Sequence, residues 1–295
     1  MLGRVIRIHS NIVIVNDLQN DEDFECVIKG NIKNKSNIIV GDIVSFEKQY
    51  DKYVILGVNA RKNFFIRPPV ANIDILVICT SLSTPSPDYL LLDKELIFCY
   101  NKNIKPVICL NKIDKIKNDN SLKKEIDYIN KVYGSLGIDI VYTSAKEETG
   151  IEDLKEILKG KMSAFSGNSG VGKSSLSSIL VGDKNIEVGE ISDKNKKGKN
   201  TTKAVNLYEI EKDTYILDTP GFSSYELFDI EYKELKKYYF DFLKYRCKYE
   251  DCNHVYEDEC VIKKLVEEGK IDKDRYERYK YLYLELLEKD KRKYK

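Results

Sequence analysis

The stretch from Gly167 to Ser174 reads GNSGVGKS and satisfies the phosphate-loop pattern G-x-x-x-x-G-K-[ST] in full. Glycines allow successive backbone N–H groups to converge on phosphate oxygens, and the following helix points its positive end at them. Lys173 would reach the β- and γ-phosphates of a nucleotide, and the Ser174 hydroxyl would ligate Mg²⁺. A Gly- and Ser-rich turn is the alternative, but an apolar strand precedes the stretch and a helix follows it. The predicted phosphate site comprises Ser166, Gly167, Asn168, Ser169, Gly170, Val171, Gly172, Lys173, Ser174 and Ser175.

Upstream, NKID at the end of an apolar strand is typical of sites that read guanine. The Asp114 carboxylate can accept both the N1–H and the exocyclic amine of guanine, whereas adenine would leave it unpaired. Lys112 can lay its stem along the base, and Asn111 can join neighbouring loops. Alone, the tetrapeptide is equally compatible with an ordinary turn. A loop after the next strand would touch the base oxygen, and the predicted base site is Asn111, Lys112, Ile113, Asp114, Ser144, Ala145 and Lys146.

Two further segments resemble nucleotide-sensing switches. Asp218 ends an apolar strand and opens DTPG, where its carboxylate would support Mg²⁺ and the Gly221 N–H would sense a γ-phosphate. The segment from Gly198 to Thr202 reads GKNTT, and one of its threonines would complete the Mg²⁺ shell. Thr201 is preferred over Thr202. The predicted magnesium ligands are therefore Ser174, Thr201 and Asp218.

A cysteine-rich window near the C-terminus predicts a metal site. Cys247, Cys252, His254 and Cys260 offer three thiolates and one imidazole, which suit a tetrahedral Zn²⁺ ion. Four protein ligands leave no open position, so the predicted role is structural. Buried thiols without a metal are the alternative, but the surrounding KYEDCNHVYEDE is too polar for a core.

Composition excludes several classes of protein. The 49 basic and 48 acidic side chains nearly cancel, so overall charge does not indicate a nucleic-acid partner. No apolar run approaches the ~20 residues of a membrane helix, and the first residues lack the apolar core of a secretion signal. We therefore expect a cytoplasmic protein with no membrane partner. Lysines at 194–199 and the basic C-terminal tail could follow phosphates, although a solvated surface is the simpler interpretation.

The elements that must position these motifs fall into three regions. Residues 1–67 contain about five short strands without helical period, which predicts a small β-barrel ending at Pro68-Pro69. Residues 68–225 alternate strands and helices, which predicts an α/β domain with a parallel sheet covered on both faces. Residues 226–295 have helical spacing around the cysteine window.

The order of the motifs is unusual, because the base-reading tetrapeptide precedes the phosphate loop. We expect the strands that carry them to lie side by side in the sheet, whatever their order along the chain. Circular permutation of a nucleotide-binding domain explains the order, since the ends of compact domains are often close together. The new ends would fall before IDILVIC and after DTPGF, which places the second switch beside the C-terminal region.

These motifs together resemble the RsgA (YjeQ) family of bacterial GTPases over essentially the whole chain. The resemblance implies an N-terminal OB-fold, a circularly permuted GTPase domain and a helical zinc domain. It also implies GTP/GDP and Mg²⁺ as ligands, GTP hydrolysis stimulated by the small ribosomal subunit in its late maturation, and contacts with ribosomal RNA. We expect a monomer.

One departure from the family concerns catalysis. Family members typically carry His where this chain has Asn200, and Phe222 stands where many GTPases have a water-orienting Gln. We therefore expect slow turnover by the isolated protein. An assembly module that holds GTP without hydrolysing it stays open as an alternative, whereas a metabolic kinase lacks a candidate acceptor pocket. The candidate catalytic residues are Lys173, Asn200, Thr201 and Gly221.

Overall fold

Five strands between Leu2 and Val58 form a closed barrel. The computed structural model describes residues 1–9, 11–28, 38–66, 68–118, 120–182, 205–218 and 230–293. The strands are β1 (Leu2–His9), β2 (Ile12–Asp17), β3 (Asp23–Ile28), β4 (Ile43–Gln49) and β5 (Lys52–Val58). β1 pairs with both β2 and β4, which closes the barrel in the order β1-β2-β3-β5-β4. Alternate apolar residues such as Val13, Val15 and Phe46 fill its interior. The predicted N-terminal barrel is confirmed.

A two-stranded hairpin follows the barrel where the sequence predicted that strand structure would stop. β6 (Phe64–Ile66) pairs with β7 (Pro69–Ala71), so Pro69 begins a strand instead of ending the strand pattern. Proline is tolerated at the first residue of a strand because no ladder hydrogen bond is needed from its nitrogen there. The Ala71 N–H donates to Val40 O at 2.9 Å, which attaches the hairpin to the barrel side.

The central region is a six-stranded sheet in the order β10-β9-β8-β11-β13-β12. Its strands are β8 (Ile75–Ser81), β9 (Lys105–Asn111), β10 (Asp139–Tyr142), β11 (Met162–Ser166), β12 (Asn206–Glu211) and β13 (Thr214–Asp218). All neighbours pair in parallel except β12, which forms an antiparallel edge with β13. All seven residues of β8 are buried, as expected for a strand covered on both faces.

Helices cover both faces of the sheet. They are α1 (Tyr89–Asn101), α2 (Asn120–Val132), α3 (Ile151–Leu158) and α4 (Lys173–Val181). One apolar cluster joins Leu92 and Leu96 of α1 to Leu76 and Ile78 of β8. A second cluster joins α3 and α4 to the alternate residues of the same strand, such as Val77. The predicted α/β layering is confirmed, although α2 ends at Val132 and only a 3-10 turn continues to Leu136.

The expectation that the NKID strand and the phosphate-loop strand are neighbours is wrong. β8 lies between β9 and β11 and pairs with both. The chain proceeds outward from β8 through β9 to β10, and then returns to the other side of β8 with β11. Such a reversal of strand order opens a crevice at the carboxyl ends of the strands, where α/β proteins bind ligands. The crevice brings the two loops together although their strands are one strand apart.

The C-terminal region is helical. A 3-10 helix (Tyr232–Tyr238) precedes α5 (Phe240–Leu243), α6 (Val261–Glu267) and the long α7 (Lys273–Lys293). Tyr276, Tyr279 and Tyr283 of α7 are buried at helical spacing in the cluster that holds this region together. Within the described ranges, no helix combines the length and apolar character that a bilayer span requires. The domain boundaries at 67 and 225 stay predictions, since both residues lie outside those ranges.

Candidate functional site

The segment between β11 and α4 has the geometry of a phosphate loop. Gly167 and Gly172 adopt φ angles of 115° and 101°, which disfavour any residue with a side chain. A Cβ atom on Gly167 would stand 2.0 Å from Cys79 O, and one on Gly172 would stand 2.2 Å from Asn111 Nδ2. The glycines are therefore required both by the backbone conformation and by close contacts with β8 and with the NKID loop.

Lys173 lies at the start of α4 and closes over the loop. Its Nζ donates to the carbonyl oxygens of Gly167 and Asn168, both at 2.7 Å. Burial lowers the pKa of Lys173, while the nearby Cys79 and Glu95 act in the opposite direction. A phosphate oxygen is a stronger acceptor for an ammonium group than a neutral carbonyl. The lysine is thus positioned to exchange loop carbonyls for an anion above the loop.

Asn111 joins three loops around the crevice. Its Nδ2 donates to Val171 O of the phosphate loop at 2.8 Å. Its Oδ1 accepts the Ala145 N–H at 3.1 Å and the Thr143 hydroxyl at 3.2 Å. The side chain is 1% exposed, so these bonds are shielded from water. Thr143 was not predicted from the sequence, because a threonine at the end of a short strand carries no distinctive pattern.

Lys112 and Asp114 of the NKID loop bond to different neighbouring loops. Lys112 Nζ donates to the carbonyl oxygens of Thr84 and Gly170, both at 2.6 Å. The Ser144 hydroxyl donates to Asp114 Oδ1 at 2.8 Å, and the Glu147 N–H donates to Ser144 Oγ at 3.1 Å. The carboxylate is therefore oriented by the loop of residues 144–146. Within the described part of the chain, no hydrogen bond to its other oxygen, Oδ2, is found.

The remaining predicted site residues are placed only in part. Ser174 and Ser175 are exposed on the first turn of α4. Asp218 is the last residue of β13, which pairs directly with the phosphate-loop strand β11. Asn200, Thr201, Thr202, Gly221 and Phe222 lie outside the described residues.

A buried glutamate beneath the phosphate loop was missed. Glu95 of α1 is 1% exposed and shares a cleft with Gly167, Asn168 and Val171. Burial raises the pKa of Glu95 to about 8, against the opposing effects of the Ser166 hydroxyl, the Lys173 ammonium and the Gly167 N–H. An acidic residue within the apolar run LLLDKELIFC was the available signal.

The Cys/His window forms a compact cluster. His254 Nδ1 lies 3.5, 3.4 and 3.4 Å from the Sγ atoms of Cys247, Cys252 and Cys260, and the Cys247 and Cys260 sulfurs are 3.8 Å apart. A tetrahedral Zn²⁺ ion with Zn–S and Zn–N bonds of about 2.3 and about 2.1 Å requires S···S and S···N separations of about 3.8 and about 3.6 Å. These four separations match the edges of such a tetrahedron, and all four donor atoms lie within 4.8 Å of one another.

Neighbouring groups fix the loop that supplies these donors. Glu257 accepts the N–H groups of Asn253 at 2.7 Å and Val255 at 3.0 Å. From α7, the Tyr276 hydroxyl donates to His254 O at 2.8 Å. Burial lowers the pKa of His254 to about 4, so its imidazole is neutral and offers a lone pair. The loop is held in shape from both sides, as expected of a structural metal site.

Comparison with known proteins agrees with this geometry. The RsgA GTPase family model matches residues 58–228. The chain is 40% identical over 276 residues to the small ribosomal subunit biogenesis GTPase RsgA of Caldanaerobacter subterraneus subsp. tengcongensis, covering 92% of this chain and 91% of that protein. It is 38% identical to the Thermotoga maritima protein of the same name, over 98% of both chains.

Two solved structures share the whole fold. The crystal structure of YjeQ from Thermotoga maritima superposes with a TM-score of 0.84 at 36% identity, covering 97% of this chain and 98% of that chain. YloQ, described as a circularly permuted GTPase, superposes with a TM-score of 0.83 at 31% identity, covering 98% and 95%. The similarity therefore includes the barrel, the sheet and the helical C-terminal region.

Proposed function

Because the chain belongs to the RsgA GTPase family, we propose that it hydrolyses GTP to GDP and phosphate and acts as a late maturation factor of the small ribosomal subunit. The observation that carries the nucleotide part is the bond from Asn111 Nδ2 to Val171 O, which joins the base-reading and phosphate loops. The domain is circularly permuted, since the strand bearing NKID precedes the phosphate-loop strand in the chain.

Guanine recognition is assigned to the loops that Asn111 connects. The two oxygens of the Asp114 carboxylate would accept the N1–H and the exocyclic amine while Oδ1 keeps its bond from the Ser144 hydroxyl, and Lys112 would cover the base face. The backbone of Ser144–Lys146 would meet the base oxygen, because the Ser144 hydroxyl already holds Asp114 in this loop. The backbone N–H groups from Gly167 to Ser175 would surround the phosphates.

Hydrolysis is assigned to Lys173 and the two switches. Lys173 would turn from the carbonyls of Gly167 and Asn168 to the β- and γ-phosphate oxygens. Ser174, Thr201 and Asp218 would hold Mg²⁺, which neutralises charge that develops on the phosphates. The Gly221 N–H would contact the γ-phosphate.

The two positions where related GTPases carry a residue that activates the attacking water hold other residues in this chain. Asn200 and Phe222 are both poor proton acceptors. We therefore assign slow turnover to the free protein and activation to the small subunit, as activating partners accelerate other GTPases by up to ~10⁵-fold. If Asn200 limits the activated reaction, Asn200→His should raise the subunit-stimulated kcat. An unchanged stimulated rate would remove this position from the mechanism.

The Cys/His cluster is assigned one structural Zn²⁺ ion. Its four donors would fill a tetrahedral shell, so water would not bind the ion and no catalytic role is proposed. Burial raises the pKa of the Cys252 thiol to about 12. A bound cation would reverse this effect, because metal-bound thiols are deprotonated.

The partner is assigned as the small ribosomal subunit, including contacts with its RNA. The relatives named above are small-subunit biogenesis GTPases, and a factor of subunit assembly would work as a monomer in the cytoplasm. On the C-terminal region, exposed Tyr249 with Lys248 Nζ 5.3 Å from its ring centre would offer a nucleic-acid strand a stacking surface and a cation. The alternative function is an assembly module that uses GTP only as a regulatory ligand, and the residues at 200 and 222 favour it.

Phosphate release measured with and without purified small subunits tests this function. We expect slow release by the free wild type, strong stimulation by subunits, and loss of stimulated release in Lys173→Ala. Lys131→Ala removes an exposed lysine of α2 and should behave as the wild type. GTP binding with no release in the presence of subunits would favour the alternative, and displacement of GTP by ATP would contradict guanine recognition.

A further inference from the structure

Glu95 combines deep burial with contact to the phosphate loop. Its Oε1 atom is buried and has no hydrogen-bond partner among the described residues. The carboxyl faces the Ser166 hydroxyl and the Gly167 N–H, at the point where β11 becomes the phosphate loop. Gly167 is itself pressed onto β8, so the loop cannot shift away from the carboxyl without losing that contact.

The charged and titratable groups around Glu95 come from several elements. Lys173 of α4 favours the ionised form of Glu95, whereas Asp88 before α1 opposes it. The thiols of Cys79 on β8 and Cys99 on α1 also face Glu95. Lys173 is the cationic group among these neighbours of Glu95. In the proposed function its ammonium group turns away from Glu95 toward the phosphates of the nucleotide.

We propose that Glu95 is a positioning residue of the phosphate loop whose carboxyl is protonated in the nucleotide-bound state, so that nucleotide binding takes up a proton. The inference rests on the proposed nucleotide site. A bound nucleotide would bring several negative charges to the loop above Glu95 and would engage Lys173. Both changes disfavour a buried carboxylate beneath the loop, because like charges in a site of low dielectric repel strongly.

The linkage has a defined sign. With a pKa near 8 in the free protein, Glu95 is mostly neutral at neutral pH and ionised in alkaline solution. Below this pKa the Glu95 carboxyl is already neutral, so an anion can bind to the loop without a change in protonation. Above it, the carboxyl must take up a proton when the nucleotide binds. Nucleotide affinity should therefore fall with rising pH, by about tenfold per pH unit well above the free-protein pKa.

Calorimetry of GDP binding tests the proposal. At about pH 8, titrations in buffers of different ionisation enthalpy count the protons taken up, and a group with a pKa near 8 should bind about half a proton per nucleotide. Glu95→Gln keeps the shape and removes the titration. We expect it to bind GDP with no proton uptake and with an affinity that stays flat between about pH 7.5 and about pH 8.5, a range well above the pKa of about 6 of a terminal phosphate.

Glu209→Gln is the matched control. Glu209 is a second carboxyl with a pKa raised by burial, to about 7, but it faces Asp21 of the barrel and not the phosphate loop. This variant should retain the proton uptake of the wild type. Absence of uptake in the wild type, or its persistence in Glu95→Gln, would overturn the proposal. Failure of the wild type to bind GDP at all would instead overturn the proposed function, and this inference with it.

Discussion

At the scale of single residues, the proposed discrimination between purines depends on Asp114. One of its oxygens is occupied by the Ser144 hydroxyl at 2.8 Å, which fixes the plane of the carboxylate. Asp114→Ala would remove both acceptors for guanine, and we expect GDP affinity to fall by a factor on the order of 10³ or more. Asp114→Asn would supply an amide donor, and it should shift the preference from GDP toward XDP. Displacement of a fluorescent guanine nucleotide by each competitor measures both effects.

Asp127→Asn is the control for this substitution. Asp127 is an exposed residue of α2, so neutralising it changes the net charge equally without touching the crevice. It should leave the order of nucleotide preferences unchanged. Retention of the guanine preference in Asp114→Ala would contradict the assignment of the NKID loop.

The motif residues could be predicted from the sequence because their chemistry requires fixed types at fixed spacing. Lys173, Asp114 and the cysteine window belong to this group. The roles of Glu95 and Asp93 could not be predicted, because with Lys94 they form a run of three charged residues in a largely apolar helix. Their importance depends on what α1 packs against, and sequence spacing does not contain that information.

At the scale of elements, we expect a metal ion in the Cys/His cluster to stabilise the packing of the C-terminal helices. The buried set of this region relies on tyrosines, with fewer aliphatic side chains than the sheet clusters. If the cluster holds the proposed Zn²⁺, a strong chelator should leave three thiols and one imidazole without their common ion and unfold much of residues 230–293, since structural zinc sites contribute folding energy directly. Hydrogen exchange should show lost protection in α6 and α7 and retained protection in β8 and β9.

Cys252→Ser should mimic the chelator because it removes one ligand of the tetrahedron. Cys26→Ala is the matched control, since Cys26 is a buried thiol of the barrel core without metal-ligating neighbours among the described residues. It should keep one metal ion per chain in elemental analysis. Unchanged protection of α7 after complete removal of metal would refute the structural role.

Strand identity could be predicted from the sequence, but strand order could not. The alternation of short strands predicted the barrel, and the buried runs predicted the sheet. The position of β8 between β9 and β11 follows from long-range pairing, which no local pattern records. The hairpin of β6 and β7 was also missed. A double proline usually ends a strand, whereas here the second proline, Pro69, is the first residue of β7.

At the scale of the whole molecule, helix α1 joins the phosphate loop to the C-terminal region. Glu95 faces the loop, while Asp93, two residues earlier, is fully buried against α7. Arg275 bonds to Asp93, and Arg278 Nε donates to it at 2.5 Å. Although burial opposes it, Asp93 raises the pKa of both guanidinium groups. Helix α1 thus contacts both the phosphate loop and the C-terminal helix α7.

This buried network predicts a large loss of stability when one partner is removed. Asp93→Asn leaves Arg275, whose side chain is 3% exposed, without its main counter-charge, and breaking such pairs typically costs about 3–5 kcal/mol. Lys105→Met removes an exposed pair with Asp139 and should cost less than about 1 kcal/mol. Urea unfolding of both variants measures the difference.

The double variant Asp93→Asn, Arg275→Met removes the guanidinium group that the single variant leaves buried without its main counter-charge. Part of the lost free energy of unfolding should therefore return. Equal losses for the buried and the exposed pair would show that the ion pairs of Asp93 do not hold α1 against α7, and that apolar packing alone joins the two helices.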